Sequence, residues 1–206
     1  GAAVGVARPG AGGGQVEPGP VSVLLHASGP VPDAWMRSPI PVIVGFAPPD
    51  TIRLDDLADP RVVERLLDTD PAVTGGDLEA RRAAALSLVH HCLLVVEISL
   101  TAPLVLDGMA LDGRPTQLGV RMRDGVPAAI WVAGVRLARA TDPAFHLGAA
   151  AYGLLVPIVA AIQGVVRLPT RGVDNVMLDG LAAGYRRCAR LAGREPDPAF
   201  VARLMA

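Results

Sequence analysis

Residues 83–101, AAALSLVHHCLLVVEISLT, constrain the fold of this chain more than any other stretch. They contain neither Gly nor Pro and are rich in Leu and Ala, so a helix is expected. Such a helix rises ~28 Å at 1.5 Å per residue, enough to cross a small domain. Asp77 is placed to cap its start, with Glu79 in the first turn, and Pro103 to end it. On a regular helix Ser87, His90, Glu97 and Thr101 fall close to one line. Leu, Val, Ala and Ile make up most of the rest, and a helix apolar nearly all round is a buried one. A buried His or Glu must be hydrogen-bonded, ligated or neutralised, because an isolated buried charge is very costly. The polar stripe is therefore the first candidate for a site.

Composition narrows the function classes. The chain has 206 residues and a formal net charge of -1, with 51% hydrophobic but only 3% aromatic residues. The length suits one domain with an aliphatic core. The balanced charge and the scarcity of stacking side chains argue against nucleic acid as a partner. Every one of the 19 basic residues is Arg. Without Lys there is no Schiff-base chemistry and no Walker-type phosphate loop. The two cysteines, Cys92 and Cys188, fall in helical segments and read as buried thiols in a reducing cytoplasm.

Residues 1–20 are rich in Gly, Ala and Pro and read as a flexible lead, leaving residues 21–206 as one α+β domain. Residues 21–26, ending in His26, and 40–46 read as strands. Asp59-Pro60 opens a helix through Leu67, followed by a loop over residues 68–76. Residues 117–122 and 128–135 flank Asp124-Gly125, the signal for a β-hairpin with a type I′ turn. Asp142-Pro143 starts a helix to about Gln163, a second helix runs from near Thr170 to about Ala192, and a short one covers residues 197–205. Residues 147–166 carry no charge and are long enough to span a bilayer. Their Gly, Pro and Gln content and the soluble-helix start signal favour a core helix, so no membrane is expected; residues 1–20 show no Arg followed by an apolar core of signal-peptide type, so secretion is not expected either. The overall expectation is a small β-hairpin or sheet region packed on a bundle of long apolar helices.

Chemistry is expected first at His90, His91 and Glu97, as acid/base or metal-binding groups beside Ser87 and Thr101. Adjacent histidines on a helix point about 100° apart, so His90 and His91 cannot serve one centre from one face. His90 and Glu97 lie about 10.5 Å apart along the axis and meet only through a ligand, a water or a third residue. His146 is a candidate further metal ligand with His90 or His91. Arg167, Arg171, Asp174 and Asn175 gather at the start of the last long helix, where free N–H groups and two Arg can hold a carboxylate. The run through Arg186, Arg187 and Arg190 reads as a solvated face.

Residues 82–111 (RAAALSLVHHCLLVVEISLTAPLVLDGMAL), the hairpin 119–132 and residues 154–191 resemble in pattern and order the ferric-siderophore reductase (FhuF-like) family, a fold relative of the C-terminal domain of aerobactin-type siderophore synthetases. Where that family starts its last helix with a Trp-Gly-Asn-like group, Gly172-Val173-Asp174-Asn175 stands here, keeping the Asn and lacking the Trp. The family's Cys-Cys…Cys-x-x-Cys group has no counterpart in this sequence, so no iron–sulfur cluster is expected and the reductase chemistry is not carried over. The resemblance implies a cytoplasmic small-molecule or iron-chelate pocket between the central helix and the C-terminal helices.

Three functions follow as expectations. The first is an enzyme of siderophore-like or N-hydroxylated-metabolite biosynthesis, its ligand a carboxylate or hydroxamate. The second is a haem or iron enzyme with one axial His. The third is a non-catalytic iron-chelate binding or interaction protein, a homodimer through its apolar helices.

Overall fold

The computed structural model describes residues 31–73, 76–111, 117–134 and 136–205. The expected lead, the strand over residues 21–26 and His26 lie outside them. The order is α1 (Asp33–Met36), β1 (Val42–Val44), β2 (Thr51–Arg53), a single 3₁₀ turn (Asp56–Ala58), α2 (Pro60–Thr69) and α3 (Leu78–Val96). A π-helical turn (Glu97–Thr101) joins α3 to α4 (Ala102–Leu106). Then come β3 (Ala110–Leu111), β4 (Leu118–Arg123), β5 (Val126–Val132), β6 (Leu137–Ala138), α5 (Pro143–Val165), α6 (Thr170–Leu191) and α7 (Pro198–Leu204). The α+β class read from the sequence is the one observed.

Four helices start as their sequences dictate. Asp59, Asp77, Asp142 and Asp197 each accept a backbone N–H in the first turn with a side-chain carboxylate, and Pro60, Pro143 and Pro198 occupy the first helical position. The helix opened by Asp59 runs two residues beyond Leu67, so the loop before α3 is shorter than expected.

β4 and β5 form the hairpin, and the turn residues Asp124 and Gly125 have φ of 53° and 78°, as a type I′ turn requires. The four-stranded sheet has the order β1-β5-β4-β2 and is mixed, because β1 runs parallel to β5 with Val42 opposite Ile130. Alternation sorts its faces. Val42, Val44, Leu118, Val120, Ile130 and Val132 enter the main core, while Ile43, Ala129 and Trp131 form a small separate cluster on the other face. β2 was not foreseen: three residues after a Pro-rich loop give too short a pattern to read, and its pairing with β4 defines it.

The long helices supply the rest of the core. α3 packs on α6, α5 and the sheet, and α5 on α2 and α7. The stretches 78–106 and 143–165 are each long and apolar enough to cross a membrane. In this fold α5 turns Leu147, Ala151, Leu154, Ile158 and Ile162 inward.

Pro103 does not end the central helix. The helix widens into a π turn, in which the Ala102 N–H donates to the Glu97 carbonyl five residues back, and continues to Leu106. Pro103 has no N–H, so in this register the Ile98 carbonyl loses its helical donor. The fully buried Trp35 supplies the replacement, its indole Nε1–H donating to the Ile98 oxygen at 3.0 Å. α1 is held there from its other side by Asp107, just past α4, whose Oδ2 accepts the Ala34 N–H at 2.9 Å.

Replacing Trp35 by Phe is expected to cost about 2–4 kcal/mol, from lost volume and from an orphaned buried carbonyl. In a Pro103→Ala background, where residue 103 regains an N–H, the same replacement is expected to cost about 1 kcal/mol less. Urea unfolding of the four proteins of this cycle measures the difference.

Candidate functional site

The polar line read from the sequence splits in three. Ser87 and His91, one turn apart, face a cleft between α3, the end of α2 and the β4–β5 hairpin. His90 and Glu97 face the opposite side, a groove against α6. Thr101, expected on the same line, is 1% exposed and sits in the core. The cause is the π turn: with more residues per turn it rotates Thr101 away from the line that a regular helix would draw.

The groove between α3 and α6 has a volume of about 460 Å³ and is lined by His90, Leu93, Leu94 and Glu97 from α3 and the π turn, and by Val176, Asp179, Gly180, Ala183 and Arg187 from α6. Two glycines one turn apart on α6 set its depth. A Cβ on Gly180 would stand 2.6 Å from the Leu93 Cδ1, and one on Gly184 3.3 Å from the Glu97 Cγ. Without side chains there, α6 approaches α3 closely and the Glu97 side chain lies flat across it.

Glu97 is neutralised by Arg187 rather than by a histidine. The Arg187 Nε donates to Oε1 at 2.8 Å and its Nη2 to Oε2, a two-pronged pair. The Glu97 side chain is 16% exposed and that of Arg187 57%, so the acid is the desolvated member and the guanidinium faces the groove. Arg187 therefore has a structural partner and does not belong to a purely solvated face. The pair also walls a second groove of about 400 Å³ on its far side, bounded by α1, the π turn and the C-terminal end of α6.

His90 is exposed, and its Nδ1 lies 2.9 Å from the Leu86 carbonyl. A carbonyl only accepts, so Nδ1 carries the hydrogen. In the neutral ring the lone pair is then on Nε2. His91 is half-buried in the cleft on the other side of α3. Burial first, then the neighbouring His90, hold its pKa below the ordinary 6.5, against an opposing pull from Asp70. That cleft has a volume of about 190 Å³ and is mostly aliphatic, with Asp70, Thr69, Ser87 and His91 as its polar groups.

The remaining expected residues are not brought to these sites. Arg167, Arg171 and Asn175 are exposed, line none of the three cavities and form no ion pair among the described residues. The start of α6 lacks a side-chain cap and makes no clamp with the α3 groove. His146 sits at the start of α5 with a buried Nε2, lining none of these cavities. Among the described residues, no three or more His, Cys, Asp or Glu are grouped to hold a metal ion. Cys92 and Cys188 are buried free thiols; burial pushes both up to about 12, with the nearby Glu97 adding to the shift at Cys188.

Sequence reasoning missed Arg187, Asp179 and Asp70. The available signal for Arg187 was the requirement that a buried Glu97 find a countercharge, together with the Gly180–Gly184 spacing that marks the close face of α6. No protein-family model matches the chain, and no curated protein matches it.

Arg187→Ala leaves a desolvated carboxylate without its partner and is expected to destabilise by about 2–3 kcal/mol. Glu97→Gln keeps the shape and one acceptor, leaves an Arg that can turn to solvent, and is expected to cost about 1 kcal/mol. Chemical denaturation gives both values, and equal costs contradict this asymmetry.

His91 also makes stability depend on pH. Its folded pKa lies below 6.5, so above pH 6.5 neither state protonates it and its contribution is fully present. As pH falls below 6.5 toward the folded value, the unfolded chain binds a proton that the folded chain does not, and stability drops. Denaturation midpoints at pH 7.5, 6.5 and 5.5 are expected to fall more steeply for the wild type than for His91→Gln.

Proposed function

We propose that this is a cytoplasmic small-molecule enzyme of siderophore-like or N-hydroxylated-metabolite metabolism, with its ligand in the groove between α3 and α6. The observation that supports this reading is the convergence there of a tautomer-fixed His90, with Nε2 free to accept, and an Arg187 guanidinium already oriented by Glu97. Two of the five guanidinium N–H groups are engaged by Glu97, and the others are open to a ligand oxygen.

A hydroxamic acid matches this pair of groups. Its carbonyl oxygen accepts from Arg187, and its N–OH donates to the His90 Nε2, which serves as the proton acceptor. A simple carboxylate suits the groove less well. It has no proton for His90 at neutral pH, the two-pronged edge of Arg187 is taken by Glu97, and Asp179 adds a negative charge to the wall. The resemblance to ferric-siderophore reductases points to the same ligand class, with Glu97 as the positioning residue for Arg187 rather than as a group acting on the ligand.

The test is a comparison of acetohydroxamic acid with acetate by calorimetry and thermal shift. The hydroxamate is expected to bind and to raise the melting temperature, and acetate to do neither. His90→Ala is expected to weaken hydroxamate binding about tenfold, the loss of roughly one hydrogen bond, without loss of stability, since His90 is exposed. Equal binding of acetate, or unchanged binding in His90→Ala, rejects the reading.

A further inference from the structure

We propose that the cleft on the other side of α3 is a second binding site, for a short aliphatic primary amine. It is independent of the groove assigned above: it shares no lining residue with it and opens toward the hairpin and the end of α2.

The cleft is built in two zones. Its walls are aliphatic, formed by Ile52 of β2, Leu66 of α2, Leu88 of α3 and Val120 and Met122 of β4. At about 190 Å³ it exceeds the ~150 Å³ of an apolar cavity able to hold benzene, so a chain of about six carbons fits. Polar groups come from Asp70, Ser87 and His91, with Thr69 beside them. The Thr69 hydroxyl is already committed to its own helix, bonding the Arg65 carbonyl at 2.9 Å.

The charge of this polar zone selects the head group. Asp70 is half-buried and forms no ion pair among the described residues, and no Arg lines the cleft. Its Oδ1 accepts the Ala72 N–H at 2.8 Å, which fixes the carboxylate at the end of α2. His91 in its neutral form offers one ring acceptor, and the Ser87 hydroxyl offers another. An ammonium has three N–H donors and one positive charge. It meets three acceptors, one of them an uncompensated anion. A carboxylate head would face Asp70 without a cation, and a hydroxyl head would leave Asp70 uncompensated. Apolar walls with a few polar groups at one side are the arrangement expected of a small-molecule site, and here the cleft stays partly open to solvent at the exposed Ser87.

The test uses the full chain at pH 7.5 with hexylamine, 1-hexanol and hexanoate as probes, read by calorimetry. Hexylamine is expected to bind about tenfold more tightly than either of the others, the value of one charge-assisted hydrogen bond. Asp70→Asn retains an oxygen for the Ala72 N–H and is expected to bring hexylamine and hexanol to equal affinity. Met122→Trp fills the cleft and is expected to abolish hexylamine binding. The proposal is overturned if hexylamine does not bind, if hexanol or hexanoate matches it on the wild-type protein, if its advantage survives Asp70→Asn, or if Met122→Trp leaves its affinity unchanged.

Discussion

The hydrogen bond from the Trp35 indole to the Ile98 carbonyl is the contact on which the geometry of both grooves beside Glu97 depends. A proline near the end of a long buried helix ordinarily stops it, since its ring crowds the preceding turn and it has no N–H to donate. Here the chain keeps going by widening one turn, and the vacated Ile98 carbonyl is taken up by a side chain from α1, which lies 63 positions away in sequence. Burial makes that replacement obligatory, because an unpaired carbonyl in a dry core costs about 1–3 kcal/mol. Trp35 thus ties α1 to the far part of the central helix and holds the phase of the π turn after Val96. Thr101 is turned into the core, and Glu97, at the first position of the π turn, is left against α6.

The second constraint is a carboxylate in a nearly dry place. Glu97 is largely withdrawn from water and pairs with Arg187, which reaches it because Gly180 and Gly184 remove two side chains from the facing helix. Helix approach, burial of the acid and orientation of the guanidinium are one arrangement seen from three sides. A larger residue at 184 would press on the Glu97 side chain itself, whereas at 180 it would meet the flexible end of Leu93. The two glycines therefore differ in role: Gly184 positions the ion pair, and Gly180 sets the packing distance.

Where sequence signals were local, they were sufficient. Aspartate caps followed by proline, the Asp124-Gly125 turn and the uninterrupted apolar stretches placed most described helices and the hairpin. Signals that depend on distant partners were not legible. β2 exists because β4 lies beside it, and β1 is parallel to β5 through a connection that no periodicity announces. Pro103 reads as a stop because its local rule is a stop, and only the distant Trp35 overrides it. The candidate site was legible to the same degree. The buried acid and the two histidines stand out from an apolar helix, but a straight-helix projection puts Ser87, His90 and Thr101 together. The folded chain sends them to a cleft, a groove and the core.

That separation changes what the adjacent histidines mean. A His-His pair on a helix invites one centre with two ligands, yet the 100° between neighbouring side chains delivers them to different walls. His90 is exposed and hydrogen-bonded to its own helix, so its ring is oriented with Nε2 outward. His91 is half-buried among aliphatic side chains, where burial favours the neutral ring. After burial, the neighbouring His90 is the second cause that holds the His91 pKa down, so the shared helix sets the protonation of the cleft even though the two rings face different walls.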